Sequence, residues 1–117
     1  MQNGTRLAAV DLGSNSFRLE IGQMDHGQFC RTEYLKETVR QGGGLDDERN
    51  LTPEALQRGW DCLARFGERL AGFNPHEVRA VATQTLREAR NRDEFLARGN
   101  QLLGFPIDVI SGREEAR

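Results

Sequence analysis

The sequence is short of several things at once. Its 117 residues include two cysteines, one tryptophan, one tyrosine and three prolines, and Lys36 is the single lysine among 16 basic side chains. Cys30 and Cys62 lie 32 positions apart with no CxxC pairing. That pattern does not make a secreted disulfide framework and points to free thiols in a reducing cytosol. His26 and His76 stand alone in turn-like stretches, so they offer no metal-ligand spacing. No apolar run approaches the roughly 20 residues needed to span a bilayer. The opening Met1-Gln2-Asn3-Gly4-Thr5-Arg6 lacks the basic start and apolar core of a signal peptide. Neither GxxxxGK[ST] nor GxGxxG occurs, which removes the usual support for a P-loop or Rossmann site. A surplus of positive charge is missing too: 16 basic against 18 acidic residues give a net charge of −2, which argues against a nucleic-acid binder. The expected location is cytoplasmic, with neither nucleic acid nor membrane among the partners.

What is present suits one globular domain with its own core. Hydrophobic residues make up 37% and charged residues 29%, ordinary values for a chain of this size. Fifteen of the 16 basic residues are arginine. Arginine suits bidentate phosphate recognition, although most of these fall on helix faces as solvated charge.

Leu7-Ala8-Ala9-Val10 reads as a buried strand and Gly13-Ser14-Asn15-Ser16 as a turn. Phe17, Leu19 and Ile21 alternate with Arg18 and Glu20 in the period of a half-exposed strand. Asp25-His26-Gly27 marks a second turn, with a third strand from about Gln28 to Lys36, so the chain opens as an antiparallel meander. A glycine-rich loop, Gln41-Gly42-Gly43-Gly44, precedes a helix capped by Thr52 with Pro53 in its first turn. Leu56, Trp60, Leu63, Gly67 and Leu70 recur at helical spacing until Gly72 and Asn74-Pro75 close that helix. Val78 to Ala82 reads as a buried strand, followed by helical stretches over Thr85–Ala89 and after the cap Asn91. Gly104-Phe105-Pro106 ends the second stretch, and Ile107 to Ile110 forms one more strand. Ser111-Gly112-Arg113-Glu114 has the spacing of a capping box, so a helix is expected to start there, with one turn before Arg117.

Chemistry concentrates at three places. In Val10-Asp11-Leu12-Gly13-Ser14-Asn15-Ser16, a strand delivers a carboxylate to a sheet edge beside a tight turn. The amides of such a turn, with short hydroxyl and carboxamide side chains, form an anion-binding concavity. A carboxylate next to phosphate needs a cation between them, which makes Asp11 a candidate ligand for Mg²⁺. The plainer alternative is a hairpin turn with Asp11 capping local amides. Ala82-Thr83-Gln84-Thr85-Leu86-Arg87 places Thr83, Thr85 and Arg87 at the carboxyl end of a strand, where α/β sheets bind ligands. Arg87 there is either a phosphate clamp or an exposed helix charge. Glu114 and Glu115 stand in a first helical turn, where they favour the dipole or, functionally, one of them orients a water attacking phosphorus. Neighbours on a helix diverge by about 100°, so only one can face the site.

In their order, AAVDLGSNSFRL, VATQTLREARN and VISGREEAR closely resemble the exopolyphosphatase / guanosine pentaphosphate phosphohydrolase family, and GLDDERNLTPEALQRGWDCLARFGERLAGF fits it as well. The resemblance runs nearly end to end. It implies an α/β fold: a ribonuclease-H-like lobe of the actin / sugar kinase / heat-shock ATPase superfold, with a mixed sheet of about five strands and flanking helices. It also implies that Gly13, Ser14, Asn15 and Ser16 form the first phosphate-binding turn and that Arg87 helps hold the substrate. Glu115 would be the catalytic base aligning water and Glu114 its capping neighbour. Arg40, Gly43 and Gly44 fall where the family has a loop near the cleft. Gln41-Gly42 and Glu20 depart from the family's more apolar pattern, away from the named catalytic positions. The second phosphate turn, of Asp-x-Gly-Gly-Gly-Ser type, belongs to a following lobe.

Residues 1–117 are therefore expected to be the N-terminal lobe of a longer phosphatase domain, with little or no activity alone, because phosphoryl transfer draws on both sides of the cleft. The motifs lie nearer exopolyphosphatases, which gives Mg²⁺-dependent release of terminal phosphate from inorganic polyphosphate as the leading expectation. Hydrolysis of guanosine pentaphosphate is the alternative within the family, and a non-catalytic phosphate- or nucleotide-sensing module the alternative outside it. Expected partners are one of those substrates and the C-terminal lobe of the same protein, with a homodimer as an option at full length.

Overall fold

A computed structural model describes residues 5–13, 15–39, 45–82, 86 and 88–110. Strand β1 (Thr5–Leu12) pairs antiparallel with β2 (Ser16–Asp25), and β2 pairs antiparallel with β3 (Gln28–Thr38), which is the expected meander. The β2–β3 turn has positive φ at both central residues, His26 (53°) and Gly27 (81°), the primed geometry that matches strand twist. Helix α1 (Pro53–Arg69) follows, then a single 3₁₀ turn at Pro75–Glu77, β4 (Val78–Ala82), helix α2 (Arg92–Leu103) and the short β5 (Asp108–Val109). The sheet order is β3-β2-β1-β4-β5, with β4 parallel to both β1 and β5. This is the mixed α/β sheet of five strands with flanking helices that the family resemblance implies.

Period-2 alternation decides which face is covered. Ala8, Val10, Leu12, Phe17, Leu19 and Ile21 are buried and join the inward residues of α1 and α2 in one core. Phe95 of α2 meets Phe17 edge-on at 6.4 Å and stacks on Trp60 of α1 at 6.3 Å, while the indole N–H of Trp60 donates to the Phe95 carbonyl at 3.1 Å. The opposite face carries Leu7, Ala9 and Asp11, with Arg18, Glu20 and Arg79 beside them, and is partly or wholly exposed.

Local signals in the sequence set the helix ends. Thr52 Oγ1 accepts from the Ala55 amide at 3.2 Å, as the cap reading requires, and Gly104, at φ 90°, closes α2. Glycine at 67 answers a packing demand: a Cβ there would sit 2.2 Å from the Leu102 carbonyl oxygen, so α1 and α2 approach too closely for any side chain. Between β3 and α1, Glu37 pairs with Arg65 and Glu33 with Arg69. The guanidinium of Arg65 holds the Glu37 carboxyl below its ordinary range, and burial pushes the Cys62 thiol up to about 12. Cys30 and Cys62 are free thiols, exposed and buried respectively. Two expectations shift. The closing strand is two residues long rather than four, because Ile107 spends its amide on Asn100 Oδ1. Asn91 occupies the cap position of α2 without a side-chain cap bond, since its carboxamide is engaged elsewhere. Within the expected helix at 85–89, Leu86 and Glu88 are helical while Thr85 and Arg87 lie outside the described residues, and the capping box at 111–114 lies wholly outside them. No helix among the described residues is long and apolar enough to cross a membrane.

Candidate active site

Topology gathers three chain ends at one sheet edge. Leu12 pairs with Ala82 and Ala82 with Val109, so β1, β4 and β5, all parallel, finish side by side. Ile110 N–H donates to the Ala82 carbonyl at 3.0 Å and extends that edge by one residue. Chain segments leaving the carboxyl ends of adjacent parallel strands are where sheets of this class bind ligands. Asp11, Ala82 and Ile110, from which the three sequence motifs continue, therefore lie together.

The first motif is a tight two-residue turn. Gly13 N–H donates to the Ser16 carbonyl at 3.0 Å, leaving Ser14 and Asn15 between them. A Cβ on Gly13 would lie 3.1 Å from that same carbonyl oxygen, so the pairing leaves little room for a side chain. The turn is braced from outside as well: the Asn15 carbonyl accepts from the Val39 amide at 2.9 Å, and the Val39 carbonyl accepts from Arg58 Nε at 2.9 Å. Thus β3 and α1 hold the turn that β1 and β2 make. Among the expected phosphate-binding residues, Gly13 and Ser16 are half-buried and Asn15 is exposed.

Asp11 is half-buried on the uncovered face, and its Oδ1 is buried with no hydrogen-bond partner among the described residues. A buried acceptor left unpaired costs free energy, so this oxygen is not serving as a local amide cap. It is chemically suited to a cation or its bound water. The described residues contain no cluster of three or more His, Cys, Asp or Glu. A site resting on one carboxylate fits Mg²⁺, which keeps several waters and takes its remaining ligands from phosphate oxygens.

Two residues the sequence reading passed over join this surface. Arg18 lies directly opposite Asp11, and Lys36 directly opposite Arg18, so Asp11, Arg18 and Lys36 form one lateral row across three strands on the uncovered face. Neither cation makes a salt bridge among the described residues. Like charges side by side repel, so an anion over the row would relieve both. The signal was available in the period-2 pattern, but only the register of three strands makes a row of it. Ser14, Arg87 and Glu115, with Glu114, Thr83, Thr85, Arg40, Gly43 and Gly44, lie outside the described residues. An apolar hollow of about 500 Å³, lined by Leu7, Phe29, Pro75 and Val78, sits where β4 begins, at the other end of the sheet from the turn.

A mixed β3-β2-β1-β4-β5 sheet whose first hairpin turn and parallel strand ends meet at one edge is a ribonuclease-H-like lobe of the actin / sugar kinase / heat-shock ATPase superfold. The Ppx/GppA phosphatase family matches residues 21–117, and the chain belongs to that family. Among curated relatives, the guanosine-5′-triphosphate,3′-diphosphate pyrophosphatase of Vibrio cholerae is 50% identical over 109 residues, covering 93% of this chain and 22% of its own length. The Vibrio vulnificus protein of the same name is 48% identical over 114 residues, covering 97% and 23%. The chain thus spans less than a quarter of the length of these relatives. The Aquifex aeolicus PPX-GPPA enzyme superposes with a TM-score of 0.86 at 29% identity, over 95% of this chain and 37% of that one. An exopolyphosphatase from Cytophaga hutchinsonii gives 0.86 at 27%, over 95% and 36%.

Proposed function

We propose that this chain is the first lobe of a phosphoanhydride hydrolase, and that the full-length protein removes a terminal phosphate from guanosine 5′-triphosphate 3′-diphosphate. The relatives at about 50% identity that carry this nucleotide's name support that substrate. Inorganic polyphosphate, the leading expectation from sequence, stands second, supported by the likeness to the Cytophaga exopolyphosphatase. The observation that carries the chemistry is the unpaired Asp11 Oδ1 beside a braced turn at the edge where β1, β4 and β5 end.

In this reading Asp11 holds Mg²⁺, which when bound neutralises phosphate charge. Ser14, Asn15 and Ser16 receive phosphate oxygens on amides and hydroxyls, Gly13, whose own amide is bonded to the Ser16 carbonyl, lets the substrate approach the turn closely, and Arg18 and Lys36 offset the charge of the next groups along the substrate. Arg87 clamps the chain by its planar fork, and Glu115 orients the attacking water in line with the leaving oxygen. Little covalent work is asked of the protein, since such transfers depend on positioning and charge stabilisation. A second lobe of the same protein closes the cleft from the other side.

The test is phosphate release by the full-length protein from the nucleotide and from long-chain polyphosphate in parallel, with and without Mg²⁺. Nucleotide turnover that Glu115→Gln abolishes while binding persists is the expected outcome. Unchanged turnover in that variant rejects the base assignment, and binding of both substrates without hydrolysis of either makes the protein a sensor.

A further inference from the structure

Three arginines run down one face of α1. Arg58, Arg65 and Arg69 stand seven and four positions apart, spacings that return a helix to the same side. Arg69 pairs with Glu33 and Arg65 with Glu37, both on β3, while Arg58 Nε donates to the carbonyl of Val39, the residue after β3, at 2.9 Å. The first two grip carboxylates, so losing them leaves the main chain of β3 in the ladder it forms with β2. Arg58 grips the main chain itself. Val39 is 2% exposed and is held from both sides, since its own N–H donates to the Asn15 carbonyl at 2.9 Å.

That second bond reaches into the turn after β1. A peptide unit is planar and trans, so the Asn15 carbonyl and the Ser16 N–H point in opposite directions. With the carbonyl held against Val39, the Ser16 N–H is aimed across the hairpin towards Gly13. The pairing there is one-sided. Gly13 N–H donates to the Ser16 carbonyl at 3.0 Å, and the reciprocal bond from Ser16 N–H to the Gly13 carbonyl is absent among the described residues. Antiparallel residues that face each other in this way ordinarily exchange both bonds. Ser16 is half-buried, and Gly13 opposite it is two residues along the chain from Asp11, whose Oδ1 is unpaired among the described residues. Alternation places the Asp11 and Ser16 side chains on the same uncovered face.

An open amide donor close to a carboxylate suited to Mg²⁺ is a pairing that a metal-bound phosphate group satisfies on both sides. We propose that Arg58 is a positioning residue of the phosphate turn: through the Val39 peptide it fixes the plane of the Asn15–Ser16 peptide and so aims the Ser16 N–H at a phosphate oxygen of the substrate. The assignment deepens the phosphatase reading and rests on it. Arg58 is exposed and acts two hydrogen bonds away from that donor. Ala55, Leu63 and Phe66 bury α1 in the core without it. Losing Arg58 therefore loosens one peptide plane and leaves the fold in place. A donor that swings out of line forfeits most of its hydrogen bond.

The test uses the full-length protein with inorganic pyrophosphate and Mg²⁺ as the probe, so that binding is read apart from turnover. Arg58→Ala removes the bond to Val39. Arg65→Ala removes the neighbouring link to Glu37 and controls for loosening of α1 from β3. Arg58→Ala is expected to weaken pyrophosphate binding about tenfold, as the loss of one hydrogen bond to a charged group does. It should raise KM for the preferred phosphate substrate by a similar factor, with kcat within about twofold. Arg65→Ala changes neither. Amide hydrogen exchange, resolved to single residues, should quicken at Gly13 and Val39 in Arg58→Ala and stay as in wild type in Arg65→Ala. Arg58→Lys keeps the charge and offers its donor from a more flexible stem, and its affinity is expected to follow its Val39 exchange, both partly restored. Unchanged affinity or unchanged Val39 exchange in Arg58→Ala, or an equal loss in Arg65→Ala, overturns the positioning role. Wild-type affinity in Arg58→Lys while Val39 exchange stays fast makes Arg58 a direct phosphate contact and overturns it too. Hydrolysis of neither candidate substrate brings down the phosphatase reading alone, and the pyrophosphate and exchange results then decide the role of Arg58.

Discussion

Asp11 gives the sharpest way to separate a functional carboxylate from a structural one. Asp11→Asn keeps the volume of the side chain and removes its charge, so no cavity or clash confuses the result. In the wild-type lobe, Asp11 Oδ1 is buried without a donor among the described residues, and an unpaired buried acceptor costs about 1–3 kcal/mol, more when it is charged. One oxygen of a half-buried group is involved, so the lower end applies and the variant should gain about 1 kcal/mol, a few degrees in Tm. The assay is urea unfolding followed by circular dichroism at neutral pH in the absence of divalent cation. Mg²⁺ is then added at about ten times its dissociation constant, which stabilises a protein that binds only when folded by about 1.4 kcal/mol. The wild type should gain that amount and the variant little of it, while phosphate release by the full-length protein falls when it carries the same substitution. A variant less stable than wild type without cation would show that Asp11 is a structural cap. An equal Mg²⁺ response in both proteins would remove Asp11 from the metal site. Either result refutes the reasoning.

Gly67→Ala should separate α1 from α2, because the new methyl would meet the Leu102 carbonyl oxygen at 2.2 Å. Overpacking against backbone costs about 1–3 kcal/mol or more, and thermal unfolding should show a clear fall in Tm, whereas a neutral result would mean the helices part at little cost. Burial pushes the Cys62 thiol up to about 12 in the fold from an ordinary 9.0. A folded pKa raised above its unfolded value gives stability that is fully present below about pH 9 and lost as pH rises towards about 12. The three-unit difference corresponds to about 4 kcal/mol over that window. Cys62→Ala should therefore lose less stability than wild type between these pH values, and parallel pH profiles would contradict the burial argument.

Much of the fold was legible because its signals are local. The alternation Phe17, Leu19, Ile21 marks the covered face of β2 directly, and Thr52-Pro53 places the start of α1 where it falls. Val78–Ala82 reads as a strand with the bounds it has. The closing strand was harder, since two paired residues leave almost no periodic signal and the competing bond to Asn100 is made at a distance of seven residues. Asn91 looked like a cap for the same reason that caps are recognisable at all: residue type and spacing fit. Its actual partner, Leu51, is 40 residues upstream, and no local rule points there.

Composition, periodicity and spacing supplied the order of strands and helices and the unpaired cysteines, and three ordered motifs supplied the resemblance to one phosphatase family and, with it, the fold class. Such properties depend on periodicity and on residues near one another in the chain, which a sequence records directly. The tertiary structure decided what depends on register and on long-range pairing. It brought the ends of β1, β4 and β5 to one edge and set Arg18 and Lys36 in a row with Asp11. It also left Asp11 Oδ1 without a partner among the described residues and gave the Asn91 carboxamide to Leu51 rather than to its own helix. A one-residue slip in any of these strands would turn the same side chains to the opposite face, so the site exists only once the register is set.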